Sequence, residues 1–207
     1  MDGASYAVNR NDMTRDELEL CLKEDRIRNL EENSNSLKYV IQSLLSKNPC
    51  MMRFRFLVAY RKSEYYTGIR KAYYLRKKNR LGMVLGYEFL TGCRIGPGLK
   101  LCHGGPIIIN GSAVIGRNAT MRGACCIGNM GTTSGAPVIG DHVEFGFGAT
   151  VIGKIHVADH TWVAAGAVLN RSVTEPWTVV GGVPAKQVSV IAHDSVSGKV
   201  AEGGVRC

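Results

Sequence analysis

The chain of 207 residues has no apolar run approaching the ~20 residues that a transmembrane helix needs, and its N-terminus is polar and acidic, unlike a secretory signal. These absences favour a cytoplasmic protein. Aromatic residues are few, at 7%, whereas glycine is abundant at 25, a composition that suits tight repeated corners better than a large aromatic core. Cysteines stand at positions 21, 50, 93, 102, 125, 126 and 207. Their number is odd and no pair has metal-ligand spacing, so they read as reduced thiols and no metal site is expected. Acids are missing from one stretch in particular. Between Arg53 and Arg80 ten Lys and Arg face a single acid, Glu64. A segment so basic implies an anionic partner. It has no aromatic-bearing nucleic-acid motif, which argues against nucleic acid. Residues 51–80 mix basic and aromatic side chains on helical patterns; this suits either a peripheral contact with the inner face of a membrane or, the favoured reading, aromatics packed against the base of the β-helix or a neighbouring subunit with Lys and Arg left in solvent.

Helical and hairpin periodicities are also missing from the second half of the chain. A period of six replaces them. Ile115, Met121, Ile127, Ile139, Phe145, Val151, Val157, Val163 and Leu169 keep this spacing, with one member lost in the polar loop 129–136. A second track of small or β-branched residues runs two positions earlier, from Ala113 and Ala119 to Thr161 and Ala167. This is the pattern of a hexapeptide parallel β-helix, in which three hexads, about 18 residues, close one triangular coil. The large residue points into the prism, the small one sits at the bend, and Gly or Asn turns the corner. Ile95, Leu101 and Ile107 extend the track upstream, with a two-residue phase change expected near Ala113. The coils are expected over roughly residues 88–174.

The expected fold class is therefore mainly β: a parallel β-helix with an N-terminal α-helical segment. Four segments follow: a tail and helices (1–48), a basic helical segment (49–84), the β-helix domain (85–190) and a C-terminal tail (191–207). Thr14 followed by Glu17 is a capping box. It opens a helix carrying Leu18, Leu20, Leu22 and Ile27. A second helix is expected from about Leu37 to Ser46, before Asn48-Pro49.

A repeat core needs only aliphatic and corner residues, so His103 in GLKLCHGGPIIINGSAVIG is left unexplained by the fold. Neutral imidazole is suited to removing a proton near pH 7. His142, His156, His160 and His193 fall in turns or the tail and read as structural. The Cys125–Cys126 pair reads as structural too, since Cys125 lies on the inward track.

GLKLCHGGPIIINGSAVIG, IGNMGTTSGAPVIGDHVEFGFGATVIGKI and VVGGVPAK together resemble the hexapeptide acyltransferases, and within them the serine acetyltransferase-like branch. The short loop before GAP resembles the members that acetylate sugars in polysaccharide biosynthesis. The resemblance implies left-handed coils, a homotrimer with a site between adjacent prisms, and direct acetyl transfer from acetyl-CoA to a hydroxyl. It assigns His103 as catalytic base and Glu88, fifteen residues earlier, as the carboxylate orienting it. For CoA it points to the main chain of Phe147 and Ala165, with Gly148 and Gly166 permitting close approach, and to Lys186 for a phosphate. Serine-specific members carry Asp before the histidine and Arg-His before the later proline. Here those positions are Cys102 and Gly135-Ala136. Loss of these charge-assisted contacts disfavours L-serine and favours a saccharide acceptor. The rivals are a serine O-acetyltransferase of cysteine biosynthesis and a non-catalytic trimeric scaffold. The terminal Val205-Arg206-Cys207 lacks the isoleucine through which serine acetyltransferases dock their partner enzyme.

Overall fold

The computed structural model describes residues 13–30, 48–131 and 135–191. The helix expected over residues 37–46 and both tails lie outside them. Three helices precede the strands: α1 (Arg15–Asn29), α2 (Pro49–Tyr65) and α3 (Gly68–Leu85). The capping box forms as expected, with Glu17 N–H donating to Thr14 Oγ1 and Thr14 N–H donating to Glu17 Oε2.

The strands, numbered in chain order, fall into three sheets that form the faces of a prism. The first face holds β1 (Tyr87–Phe89), β4 (Ile107–Ile109), β7 (Cys126–Gly128), β10 (Thr150–Ile152) and β13 (Val168–Leu169). The second holds β2 (Arg94–Ile95), β5 (Val114–Ile115), β8 (Val138–Ile139) and β11 (His156–Val157). The third holds β3 (Lys100–Leu101), β6 (Thr120–Met121), β9 (Glu144–Phe145), β12 (Trp162–Val163), β14 (Thr178–Gly182) and β15 (Ala185–Val190). Pairing is parallel from coil to coil until the antiparallel β14–β15 hairpin. The inward track is buried as the period requires: Ile115, Met121, Ile127, Phe145, Val151 and Val163 are almost wholly inaccessible.

Register locates the irregularities. Ile139 pairs with Val157 and Phe145 with Val163, each one eighteen-residue coil apart. Leu101 instead pairs with Met121, twenty residues on, and Met121 with Phe145, twenty-four on. Six extra residues lie in the 129–136 loop. The two-residue phase change is not near Ala113, where the sequence suggested it, but between Leu101 and Ile109, at the corner that carries His103. Ile107 and Ile109 are both buried, so the aliphatic pattern alone could not tell which of them continues the track.

The helices act on the exposed edge of the first coil. Phe56, Leu57 and Tyr60 of α2 plug the prism, with Phe56 edge-on to Phe89 at 4.9 Å. Side chains then supply the hydrogen bonds that a preceding coil would have made. Arg61 donates to the carbonyls of Ile95 and Gly96, Tyr60 to Cys93, Lys78 to Phe89, Asn29 to Leu99 and Arg28 to Gly98. Asp25 accepts from the N–H groups of Gly98 and Leu99 and pairs with Arg61 at 2.9 Å, both side chains being buried. Burial opposes the Arg61 charge, but Asp25 outweighs it and the pKa stays raised. The buried face of α1 is therefore Leu18, Cys21 and Asp25, whereas Leu20 and Ile27 are exposed. One thiol also departs from the sequence reading: Cys50 is disulfide-bonded.

Candidate active site

The corner between the third and first faces collects the residues singled out above. Successive coils stack His103, Gly123, Phe147 and Ala165 there, each two positions after a buried residue of the third face. His103 follows β3 and its imidazole is exposed. Its backbone is held from below: Tyr87 Oη donates to the His103 carbonyl at 2.7 Å, and Gly105 N–H donates to Leu85 O at 2.9 Å at the end of α3. Burial pushes the Tyr87 hydroxyl pKa up, so it remains a donor. Sequence reasoning missed Tyr87. It sits beside Glu88 where the coils begin, and no local pattern marks it.

Gly123 separates His103 from Phe147. A Cβ built there would lie 3.0 Å from Phe147 Cε2 and 3.5 Å from His103 Cβ, so a side chain at this position would press on both. Phe147 is 56% exposed, a large apolar ring presented to solvent at the corner. Gly148 has φ +75°, and its N–H donates to Gly123 O, while Gly166 N–H donates to Phe147 O at 2.9 Å. Among the described residues the N–H groups of Phe147 and Ala165 have no hydrogen-bond partner. The corner thus presents an imidazole, one exposed aromatic ring and, at its glycines, open main chain, with the Phe147 and Ala165 donors free to meet an extended amide-bearing ligand.

Lys186 is exposed on β15 opposite Gly181. It lines a cavity of about 550 Å³ with Arg171, Glu175 and Thr178. Val163 pairs with Val180, so Gly182 continues the corner above Ala165. His103 and this end of the prism are four coil steps apart, ~19 Å at the usual strand spacing. The structure thus sets the five CoA-assigned residues along one edge, with a cation at its far end.

Glu88 projects outward from β1 beside Ile108 of β4 and is exposed. Among the described residues no hydrogen bond or ion pair joins it to His103. A charged pair that the sequence did not reveal lies on the third face, one coil above Cys102. Arg122 of the next coil, one position past Met121 as Cys102 is past Leu101, binds Glu144 at 2.8 Å. The bond to Glu144 raises the Arg122 pKa. Cys125 is buried and directs its thiol to Gly123 O at 3.3 Å. Burial pushes its pKa up, which makes it a poor nucleophile. Gly135, where serine-specific members have arginine, lies against the Lys154 side chain, 3.2 Å from a built Cβ to Cγ. No group of three or more metal-ligating side chains occurs among the described residues.

No protein-family model matches the chain. It is 31% identical over 141 residues to the mitochondrial serine acetyltransferase 3 of Arabidopsis thaliana, an alignment covering 65% of this chain and 36% of that one. With the serine acetyltransferase of Synechococcus elongatus it shares 30% over 135 residues, 64% of this chain and 55% of the relative. The chain therefore spans between about a third and about half of the length of these curated relatives. Among solved structures, the serine acetyltransferase of Neisseria gonorrhoeae superposes with a TM-score of 0.65 at 24% identity, covering 91% of this chain and 70% of that one. The soybean serine acetyltransferase apoenzyme gives 0.64 at 27%, covering 84% and 69%. In prism, N-terminal helices and sequence together, the chain is similar to serine acetyltransferases.

Proposed function

We propose that the chain is an acetyl-CoA-dependent O-acetyltransferase in which His103 is the general base. The observation that carries this is the corner itself: an exposed imidazole at one end of a cleared main-chain track, with Lys186 at the other. Acetyl-CoA supplies the acyl group as an activated thioester. His103 takes the proton of the acceptor hydroxyl as its oxygen bonds to the acyl carbon, and returns it to the departing thiolate sulfur. Phe147 and Ala165 N–H groups hold the pantetheine arm, and Lys186 meets a phosphate. Glu88 is the carboxylate assigned to fix the imidazole tautomer. It is unjoined to His103 in the isolated chain, and catalytic hydrogen bonds commonly tighten only with substrate in place. The assembly proposed is a homotrimer, with a neighbouring copy completing each groove.

For the acceptor, the named relatives support L-serine, and none of them supports the polysaccharide branch expected from the loop before GAP. Serine O-acetylation is accordingly the first reading. The saccharide remains a second one, carried by Cys102, Gly135 and Ala136, which lack the charges expected to meet an amino acid. The test is CoA release from purified protein and acetyl-CoA, with L-serine in one series and sugars or sugar nucleotides in another. Turnover with serine supports the first reading, and turnover with a sugar alone replaces it with the second. A protein that binds no CoA would overturn both and leave a scaffold.

A further inference from the structure

The basic segment does not reach solvent as a whole. Three of its ten cations are buried, Arg53, Arg61 and Lys78, and the α2 residues Phe56, Leu57 and Tyr60 belong to the core. What stays outside is α3. Its inner face is fixed by Lys78, donating to Phe89 O, and by Gly82 packed against the backbone of Tyr87. Its outer face carries a different set. Ile69 is 91% exposed, Tyr73 60%, Met83 80% and Val84 66%. At 100° per residue these four, with Arg76 and Arg80 between them, fall within an arc about 100° wide. Lys77 flanks the arc, and helix and caps contain no acid from Thr67 to Gly86. Neither Arg76, Lys77 nor Arg80 forms an ion pair among the described residues.

Apolar side chains interleaved with unpaired cations on one exposed helical face are poorly suited to meeting the same face of a second copy. A two-fold contact would set Arg76 and Arg80 against like charges. They suit a surface that is apolar within and negative at its boundary. The helix end matters as well, because Leu85 O receives Gly105 N–H and Gly86 abuts Gly105. Met83 and Val84 therefore lie in the last helical turn, whose end is hydrogen-bonded to Gly105 beside His103.

We propose that the outer face of α3 docks the protein on an anionic lipid bilayer and so sets the His103 corner beside that surface. The partner is the bilayer surface itself, whatever acceptor the site takes. The experiment is co-sedimentation of the full-length protein with vesicles of phosphatidylcholine alone and of phosphatidylcholine mixed with phosphatidylglycerol. The protein is expected on the mixed vesicles, releasable by salt, and scarcely on the neutral ones. Arg76→Ala and Arg80→Ala each lower the partition coefficient roughly fivefold. Met83→Ser with Val84→Ser weakens binding without changing its salt dependence. Equal binding to neutral vesicles, or none to either, would overturn the proposal. So would a change in oligomeric state of these variants by light scattering, which would assign the face to a second copy. Acetyl transfer to soluble acceptors is read separately, so failure here leaves the proposed reaction standing.

Discussion

Two corners of the same prism are built on opposite rules. Between the second and third faces, Asn118, His142, His160 and Trp177 stack coil on coil in the left-handed region, at φ 55° to 61°. The His142 and His160 rings lie 4.7 Å apart, and His160 and Trp177 3.8 Å. Carboxylates lock the adjoining turns: Asp141 accepts from Arg117 N–H, Asp159 from Asp141 N–H, and Asp25 plays the same part for Gly98. Between the third and first faces the stack is His103, Gly123, Phe147 and Ala165, with glycine supplying the left-handed positions at 148 and 166. One corner is filled with side chains that tie coils together. The other is cleared of side-chain ties at these positions: glycine stands at 123, 148 and 166, alanine at 124 and 165, and His103 and Phe147 present the large side chains. That asymmetry is what the proposed acetyl-CoA site rests on.

The comparison is broken most sharply by removing the one chemical group on the cleared corner. His103→Ala is expected to lower turnover by about 10²–10⁴-fold while thermal stability stays unchanged. A comparable loss in both would mean that His103 is structural. Next comes the tied corner: Asp25→Ala strands the buried Arg61 charge and should cost ~3–5 kcal/mol in denaturant unfolding. A loss below ~1 kcal/mol would show that the carboxylate is no keystone.

These two residues also show what could be read beforehand. The hexad was legible because burial imposes it locally, every sixth residue, and His103 stood out because that pattern has no use for it. Asp25 was invisible. Its partners are Arg61, thirty-six residues away, and amides more than seventy away, and the hydrophobic residues around it suggested a different buried face. Glu88 was selected on spacing alone, and spacing along the chain does not say which side chains meet. Tyr87, its neighbour, is the group that touches His103, through a backbone carbonyl.

Gly123 sharpens the comparison from the cleared side. Gly123→Ala places a methyl group against Phe147 and His103 at a backbone with φ +132°. It should lower kcat/KM for acetyl-CoA about tenfold, since sub-ångström misplacement at a catalytic group is costly, with a stability loss of ~1 kcal/mol. Kinetics and melting of one preparation test both. The smallest effect concerns pH at the tied corner. Burial holds the His142 pKa below its ordinary 6.5, and Asn118 Nδ2 donates to its Nε2 at 3.4 Å, which requires neutral imidazole. The folded state therefore binds this proton less readily than the unfolded one. Its contribution is complete above pH 6.5 and is lost as pH falls below it. His142→Asn, which tolerates the left-handed backbone, should flatten part of the decline in melting temperature between neutral and mildly acid buffer. Parallel curves for both proteins would refute the assignment.

The side chains that α1, α2 and α3 lend to the first coil have a consequence for solubility. A stack of parallel strands is an open template at each end, able in principle to recruit another molecule and grow into a fibre. At the start of this one, Arg28, Asn29, Tyr60, Arg61 and Lys78 occupy the edge carbonyls, and Asp25 the edge amides. At the finish β15 turns back antiparallel on β14 and covers the last parallel strand of the third face. On the first coil and on the third face, the contacts that complete the fold thus also occupy strand edges that another chain could otherwise extend.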